Sequence, residues 1–266
     1  ASSAASDVYK RQKEGDGVLL QQPVYYPFSE VITDNGRKIV NSPLKITDGY
    51  YTMDLDALET KIVKNKVKLF LLCSPHNPVG RVWSEEELRR VGEICLRHGV
   101  LVVSDEIHSD IVYKGHKHQM MASISEEIAD ITVTCTAPSK TFNLAGLQTS
   151  NIIIADEKLR KAYQETMNRY GVNEPNFLGI IACMTAYNEC ELWVDEMLEY
   201  VYDNFTYFDE FLKENLPHIH LVKPEGLYLC WVDFRECGLD KDELEKTMLE
   251  LSLIHISEPT RQEAIS

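Results

Sequence analysis

The sequence predicts an α/β protein built around a mostly parallel sheet that helices cover. From residue 17 onward, short β-like runs alternate with longer segments of helical spacing. Several of the short runs are continuously apolar, which is typical of strands buried on both faces. Turn-forming proline, glycine and asparagine residues separate these runs. Together these three features predict one extended sheet rather than a set of isolated hairpins.

The first elements follow this pattern closely. Residues 17–28 (GVLLQQPVYYPF) predict a strand followed by an aromatic turn. Residues 68–80 (KLFLLCSPHNPVG) predict a buried strand that stops at a run of proline, asparagine and glycine. Ser84 and Glu87 have the spacing of a capping box, so they predict the start of a helix that Gly99 ends.

The next strands each lead to a polar residue. Residues 100–108 (VLVVSDEIH) predict a buried strand with acids at its carboxyl end, and residues 130–135 (DITVTC) lead towards Lys140. Residues 150–156 (SNIIIAD) predict one more strand, after which helices dominate to about residue 215. The last of these helices has an apolar stripe that we expect to be core. Its members are Trp193, Met197, Val201, Phe205, Phe208 and Leu212.

A change of pattern near residue 190 predicts a domain boundary. After Pro217 come two predicted strands, residues 219–224 and 226–234, with a turn at Glu225 and Gly226, and then a helix from about Asp240. We therefore expect a large domain over residues 13–190 and a smaller α+β domain over residues 191–250.

The two ends of the chain look foreign to the rest. Residues 2–12 (SSAASDVYKRQ) and 251–261 (LSLIHISEPTR) resemble translated adapters used in DNA library preparation. We interpret residues 1–12 and 251–266 as artefacts and leave them out of the fold prediction. On this interpretation the natural sequence runs from about residue 13 to about residue 250 and is cut at both ends.

Composition excludes several classes of partner. The 266 residues carry a formal net charge of −15, so neither a nucleic acid nor an anionic membrane is an expected partner. The seven cysteines are scattered, odd in number and without a CxxC pair, so we expect a reducing, cytoplasmic environment and no metal site. The sequence has no apolar stretch near the roughly 20 residues that a spanning helix needs.

Three polar residues follow the carboxyl ends of three predicted strands: Asn77, Asp105 and Lys140. This edge of an open α/β sheet is where ligands bind. The three residues are spaced by about one strand-helix-strand unit each, so they are expected to converge. Each also has a simpler interpretation, since Asn77 can be a turn residue, Asp105 a helix cap, and Lys140 a lysine that extends its amine to water.

Together these residues fit the needs of pyridoxal phosphate. Lys140 would form a Schiff base with the aldehyde, its amine activated by partial desolvation and by the cationic ring. Asp105 would keep the pyridine nitrogen protonated, and Asn77 would donate a hydrogen bond to the phenolic oxygen. Ser139, and alternatively Thr136 or Thr141, would offer hydroxyls to the phosphate.

Four motifs, in order, carry a family resemblance: PVYYPF, CSPHNPVGRVW, VVSDEIHSDIVYKGHKH and TAPSKTFNLAGLQTSNIII. They are similar to the signatures of fold-type I pyridoxal-phosphate enzymes in the class I/II aminotransferase superfamily, and within it the MalY/PatB group of cystathionine β-lyases. The resemblance covers essentially residues 13–250. It implies a three-layer α/β/α large domain of the PLP-transferase type, with a truncated smaller C-terminal domain.

The resemblance also implies residue roles. Tyr25 would stack on the cofactor ring, although by itself it is equally well a turn aromatic. His108 stands where many aminotransferases have a tyrosine that contacts the phenolate, and a core histidine is the alternative. Gln148 stands where aminotransferases have a phosphate-binding arginine, so the phosphate would depend on amide and hydroxyl groups. The family's upstream phosphate loop and its downstream carboxylate-binding arginine are expected to lie outside this sequence.

The implied activity is a carbon–sulfur β-lyase that converts L-cystathionine, or a related S-substituted cysteine, to a thiol, pyruvate and ammonia. In it the Lys140 amine would remove the α-proton of the amino-acid substrate. An aminotransferase that uses the same lysine is the alternative enzyme, and a non-catalytic binding protein is the alternative of another class. The resemblance further implies a homodimer in the full-length form.

Overall fold

The structure, a computed structural model, describes residues 15–172 and 174–250. Its strands are β1 (Gly17–Leu20), β2 (Lys38–Asn41), β3 (Lys45–Thr47), β4 (Tyr50–Thr52), β5 (Leu69–Cys73), β6 (Leu101–Asp105), β7 (Thr132–Thr136), β8 (Asn151–Ile154), β9 (His220–Leu221) and β10 (Val232–Asp233). Its helices are α1 (Pro27–Asp34), α2 (Leu55–Asn65), α3 (Glu85–His98), α4 (Glu126–Asp130), α5 (Pro138–Thr141), α6 (Glu157–Tyr170), α7 (Phe177–Glu189), α8 (Glu191–Asn215) and α9 (Lys241–Glu250).

Six of the strands form one sheet in the order β2-β1-β5-β6-β7-β8. The pairs among the first five strands are parallel, and β8 runs antiparallel to β7. Because parallel neighbours run in the same direction, the carboxyl ends of β5, β6 and β7 lie at one edge. In their register, Asp105 is paired with Cys73 on one side and with Cys135 on the other. The predicted mostly parallel sheet is confirmed.

The two faces of the sheet carry separate apolar clusters. Phe70 and Leu72 of β5 lie in one cluster, and Leu69 and Leu71 lie in the other. Successive side chains of a strand point to opposite faces, which is why neighbours along β5 separate in this way. The first cluster includes buried residues of α2 and α3, and the second includes buried residues of α1 and α6. The three-layer α/β/α arrangement is therefore confirmed.

Helix α3 begins and ends where its sequence predicts. The Ser84 hydroxyl accepts a hydrogen bond from the Glu87 backbone N–H, and the Glu87 carboxylate accepts one from the Ser84 N–H at 2.9 Å. Gly99 ends the helix in the left-handed conformation, with φ of 62°. On the packed side, a Cβ at Gly92 would lie 2.4 Å from Ile128 Cδ1, so glycine at this position lets α3 lie against α4.

The predicted apolar stripe of the long helix is α8, and most of it is packed. Phe205 and Leu212 are buried, and Met197, Val201 and Phe208 are half-buried. The prediction is wrong for Trp193, which is 47% exposed. Its ring instead stacks on Phe142, with centroids 6.3 Å apart. This residue thus contacts the segment that carries Lys140 rather than a core.

Residues 219–234 form less strand than their sequence predicts. Only β9 and β10, of two residues each, pair there, and they pair antiparallel. The chain between them turns to the main sheet's loops, where Gly226 forms an antiparallel bridge with Val112. A Cβ at Gly226 would lie 2.5 Å from the Ile111 carbonyl oxygen, so only glycine fits this close approach. Tertiary contacts therefore override the β-propensity of this segment.

A buried ion pair holds this same segment in place. Arg81 Nε donates to Glu225 Oε2 at 2.9 Å, and the side chains are 6% and 11% exposed. Glu225 also accepts hydrogen bonds from the Val82 backbone N–H at 2.8 Å and from the Tyr50 hydroxyl at 3.0 Å. Arg81 Nη2 donates to Glu87 Oε2 at 3.1 Å, and Nη1 donates to the Tyr51 carbonyl oxygen. Each buried charge thus has partners, which is the condition for its burial to be tolerated.

The two terminal segments predicted to be artefacts, residues 1–12 and 251–266, lie outside the described residues. The interpretation of residues 1–12 and 251–266 as artefacts stays a prediction, and so does the division into residues 13–190 and 191–250. Among the described residues, none of the helices combines the length and apolar character needed to cross a membrane.

We expect Glu225→Ala to lower the free energy of unfolding by about 3 kcal/mol, because it removes one of the two carboxylate partners of the buried Arg81 guanidinium and the acceptor of the Val82 N–H. The matched control is Glu199→Ala, which removes an exposed ion pair with Lys114 and should change stability little. Urea unfolding followed by circular dichroism measures both. Equal losses in the two variants would contradict the role given to the buried pair.

Candidate active site

Asp105 is the last residue of β6 and is buried, with 6% of its surface exposed. Its Oδ1 accepts a hydrogen bond from the Ile107 backbone N–H at 3.2 Å. Burial raises the pKa of this carboxyl group, and the positive charge of Lys140 acts in the opposite direction. Asp105 is therefore a buried acid in need of a cationic partner, and Lys140 is near enough to influence it.

Asn77 lies in the loop after β5, four residues beyond the end of that strand. Its backbone N–H donates to the Cys73 sulfur at 3.3 Å, which ties the loop to the strand paired with Asp105. Its carbonyl oxygen accepts a hydrogen bond from the Tyr25 backbone N–H at 3.1 Å. Tyr25, half-buried, packs edge-on against Phe28 with ring centroids 5.8 Å apart. The loop thus brings Asn77 and Tyr25 together beside the end of β5.

Lys140 lies in α5, a single helical turn that begins two residues after β7. It is exposed, so the partial desolvation predicted for its amine is not present in the described chain. The structure nevertheless places the amine where its charge acts on both Asp105 and His108. An exposed amine beside a buried carboxylate can receive an incoming small molecule.

His108 follows Asp105 by three residues and is 4% exposed. Its ring packs edge-on against Tyr228, with centroids 5.7 Å apart. Burial, and then the charge of Lys140, lower the pKa of His108 to about 4, so its imidazole is neutral near pH 7. Within the described residues its Nδ1 has no hydrogen-bond partner. A buried nitrogen of this kind fits a ligand atom better than it fits a plain core histidine.

The three hydroxyls considered for a phosphate lie in different environments. Ser139 is half-buried on α5, next to Lys140. The Thr136 hydroxyl accepts a hydrogen bond from Asn151 Nδ2 at 3.4 Å. The Thr141 hydroxyl, however, donates to the Asp110 carboxylate at 2.8 Å, and Thr141 is 1% exposed. Thr141 is therefore committed to the protein, and Ser139 keeps the more accessible hydroxyl.

The structure adds a buried carboxylate that the sequence did not single out. Glu106, next to Asp105, is fully buried. It accepts hydrogen bonds from the Ser104 hydroxyl at 2.8 Å and the Met121 backbone N–H at 3.1 Å, and it lies 2.7 Å from His118 Nε2. The sequence shows only that two acids end the strand. Two of its partners, His118 and Met121, come from the segment that follows β6, and no local pattern reveals them.

These residues fit pyridoxal phosphate by the chemistry of their groups. A pyridine nitrogen that must stay protonated suits the buried Asp105 carboxylate, and an aldehyde suits the accessible Lys140 amine. The neutral His108 imidazole and the half-buried Asn77 amide can donate or accept hydrogen bonds at a phenolic oxygen. The prediction that Asn77, Asp105 and Lys140 converge at one sheet edge agrees with their elements, while their roles stay predictions.

The chain matches the family described as "Aminotransferase class I and II" over residues 2–263, and it belongs to that family. The predicted family resemblance is confirmed.

Individual relatives narrow this class. The chain is 46% identical over 247 residues to the cystathionine beta-lyase PatB of Bacillus subtilis (strain 168). This alignment covers 93% of this chain and 64% of that protein. Its structure is similar to cystalysin from Treponema denticola, which contains a pyridoxal 5'-phosphate cofactor, with a TM-score of 0.90 and 39% identity over 93% of this chain and 63% of that one. It is also similar to the PLP-bound C-S lyase from Staphylococcus hominis, with a TM-score of 0.85 and 37% identity over 94% and 63%. The chain thus spans less than two thirds of each of these relatives.

We expect His108 to make stability depend on pH. Its folded pKa of about 4 lies below the unfolded value of 6.5, so the unfolded chain binds the proton first as the pH falls. The stabilising contribution is complete above about pH 6.5 and is lost as the pH falls towards 4, by roughly 3 kcal/mol.

Urea unfolding at about pH 7 and about pH 5 measures this loss, and His108→Asn should make it smaller. Burial lowers the pKa of His76 in the same direction, but His76 is present in both proteins, so its effect cancels in the comparison. Equal losses of stability in the two proteins would contradict the expected coupling.

Proposed function

We propose that this chain is part of a pyridoxal-phosphate-dependent carbon–sulfur β-lyase. Its substrate would be L-cystathionine or a related S-substituted cysteine, and its products a thiol, pyruvate and ammonia. The observation that carries the proposal is the buried Asp105 carboxylate at the carboxyl edge of the sheet, under the influence of the Lys140 charge. Identity of 46% to a cystathionine beta-lyase supports the choice of reaction.

The residues around the proposed cofactor site have distinct roles in binding. When bound, pyridoxal phosphate supplies an aldehyde for an amine and a ring that withdraws electrons from the α-carbon of an amino acid. Asp105 holds a proton on the ring nitrogen, and its burial strengthens that interaction because little water competes. Asn77 donates a hydrogen bond to the phenolic oxygen, and Ser139 donates one to the phosphate. Tyr25 covers the ring and excludes water from it.

Lys140 performs the proton transfers. Its amine is exposed, so it can exchange with the amine of an incoming amino acid and then accept the α-proton of that substrate. The C–S bond would then break with its electron pair on sulfur, and the thiolate would take up the proton that Lys140 removed. Water would hydrolyse the remaining three-carbon enamine to pyruvate and ammonia.

An aminotransferase is the second candidate, because the family's own description favours it. It would use the same lysine and the same carboxylate. The lysine would return the α-proton of the substrate to a carbon of the cofactor instead of releasing a thiol. A binding protein without catalysis would keep the fold and lose the reaction. Both are outcomes of the experiment below.

We also propose that the longer protein is a homodimer. Helix α7 is apolar around its whole circumference, with large side chains at the surface: Phe177, Leu178, Ile180, Ile181 and Met184. A helix of this character needs cover from another element. The second copy is the occupant that we propose, since this helix contacts α5, the element that carries Lys140, and α8.

The domain division and the location stay proposals as well. We propose residues 13–190 as the cofactor-binding unit and residues 191–250 as the start of a smaller domain. We propose a cytoplasmic protein on the strength of its scattered, odd-numbered cysteines.

Adding pyridoxal phosphate to the purified chain is expected to produce a visible absorbance band and a cofactor bound covalently to Lys140, which borohydride reduction and peptide mapping locate. Lys140→Ala should abolish both, while Lys158→Ala, a change at another exposed lysine, should not. Pyruvate released from L-cystathionine without a keto acid supports the lyase.

Strict dependence on a keto-acid acceptor would instead favour the aminotransferase. A protein that stays colourless, with no attachment at Lys140, would overturn both enzymes and favour the binding protein.

Sedimentation velocity of the longer protein is expected to show a dimer that weakens when α7 becomes charged, as in Leu178→Asp with Ile181→Asp. Val63→Asp, an equally exposed apolar-to-acid change on α2, is the control and should leave the dimer intact. A monomer in the unsubstituted protein, or equal weakening by Val63→Asp, would contradict this assignment of the surface.

A further inference from the structure

The helix that carries Lys140 is too short to be stable by itself. Helix α5 has four residues, and the Ala137 side chain provides no cap at its start. The Phe142 backbone N–H donates to the Pro138 carbonyl oxygen at 2.9 Å, and the Leu144 N–H donates to the Ser139 carbonyl oxygen at 3.1 Å. A single turn fixes several dihedral angles for one hydrogen bond and is unfavourable alone. The orientation of Lys140 therefore depends on contacts made by its neighbours.

The residue after Lys140 makes the most specific of these contacts. Thr141 is buried, and its hydroxyl donates to Asp110 Oδ2 at 2.8 Å. The Tyr187 hydroxyl, from α7, also donates to Asp110 Oδ2, at 3.4 Å. Burial, followed by the Asp110 charge, raises the pKa of Tyr187, as expected beside an ionised carboxylate. One oxygen thus joins α5, α7 and the loop after β6.

Aromatic contacts made by Phe142 also support this turn. Phe142 packs edge-on against Tyr187, with centroids 5.2 Å apart, and stacks on Trp193 of α8. Aromatic pairs in these arrangements add to the attraction from burial. This contact resists separation of α5 from α7 and α8, but a hydrophobic contact does not fix direction. The hydrogen bond to Asp110 does, because its geometry is narrow.

We propose that Asp110 is a positioning residue that fixes Lys140 relative to Asp105 through the Thr141 hydroxyl. Asp110 lies five residues beyond Asp105, on the loop that leaves β6, whereas Thr141 is the last residue of α5, the helix that follows β7. The bond therefore links the proposed base to the strand of the proposed ring partner. A charged acceptor strengthens and shortens such a bond. The inference rests on the function proposed for Lys140.

The choice of a carboxylate has a physical reason. A single carboxylate oxygen accepts two hydrogen bonds at once, here from Thr141 and Tyr187. An asparagine keeps an acceptor oxygen but loses the charge, so Asp110→Asn should be intermediate between the natural residue and Asp110→Ala. Thr141→Ser keeps the donor and should preserve function, whereas Thr141→Val removes the donor at nearly constant volume.

The test uses the whole chain and two readouts. Hydrogen exchange over residues 138–144, measured without cofactor, reports how firmly the turn is held. The rate of covalent attachment of pyridoxal phosphate to Lys140, followed by absorbance, reports how well the amine is placed. We expect Asp110→Ala and Thr141→Val to raise the exchange and to slow attachment about tenfold, since each removes a charge-assisted hydrogen bond. The double variant should be no slower than Asp110→Ala alone, because Asp110→Ala already removes the hydrogen bond that Thr141→Val removes.

Thr132→Val is the matched control. Thr132 is also a buried threonine of this chain, and its hydroxyl donates to the Ile128 carbonyl at 2.6 Å, but it lies at the opposite end of β7. This variant should lower stability without changing exchange over residues 138–144 or the rate of attachment. Thr141→Ser should restore both readouts to near the natural values, which general destabilisation would not do.

Unchanged exchange and unchanged attachment in Asp110→Ala would overturn the proposal. So would equal effects from Thr132→Val. If the unsubstituted protein shows no attachment at Lys140, the proposed function fails, and hydrogen exchange still decides whether Asp110 holds the turn.

Discussion

Parallel pairing of β5, β6 and β7 governs the positions of Asn77, Asp105 and Lys140. Both faces of these strands are covered by apolar clusters, so a slip of one residue would move each side chain to the opposite face. The register is therefore fixed, and Cys73, Asp105 and Cys135 lie in one row at the carboxyl edge. The loops that leave this row have to begin beside each other. Asn77 and Lys140 lie on two of those loops, within five residues of the row.

The row also creates the electrostatic character of the site. Asp105 lies between two thiols that carry no charge at neutral pH, since burial raises the pKa of Cys73 and raises that of Cys135 to about 12. Its own pKa is raised by the same cause. A carboxylate in such surroundings interacts strongly with any cation that approaches. The exposed Lys140 is one such cation, and a protonated ring nitrogen is the ligand group that suits the position.

The sheet does not fix the course of the loops that leave it. Contacts with residues from distant parts of the chain fix the loops that carry Asn77 and Lys140. Arg81 and Glu225 connect the loop of Asn77 to the segment between β9 and β10. Asp110 connects the loop after β6 to the turn of Lys140. In both places a carboxylate accepts several hydrogen bonds from separate elements, which fixes direction as well as distance. The sheet thus sets where the loops begin, and these carboxylates set where they go.

The sequence by itself determined β1 and β5 to β8 and the polar residues that follow them, because apolar runs and turn residues are local properties of the chain. It did not indicate β2, β3 or β4, which have few buried side chains. It also determined the limits of α3, since the cap of Ser84 and the end at Gly99 use neighbouring residues only. The tertiary structure decided the partners that come from distant segments. It decided that Thr141 bonds to Asp110, that Trp193 lies outside the core, and that residues 219–234 form little strand. These features depend on which segments meet after folding, and no local pattern encodes that.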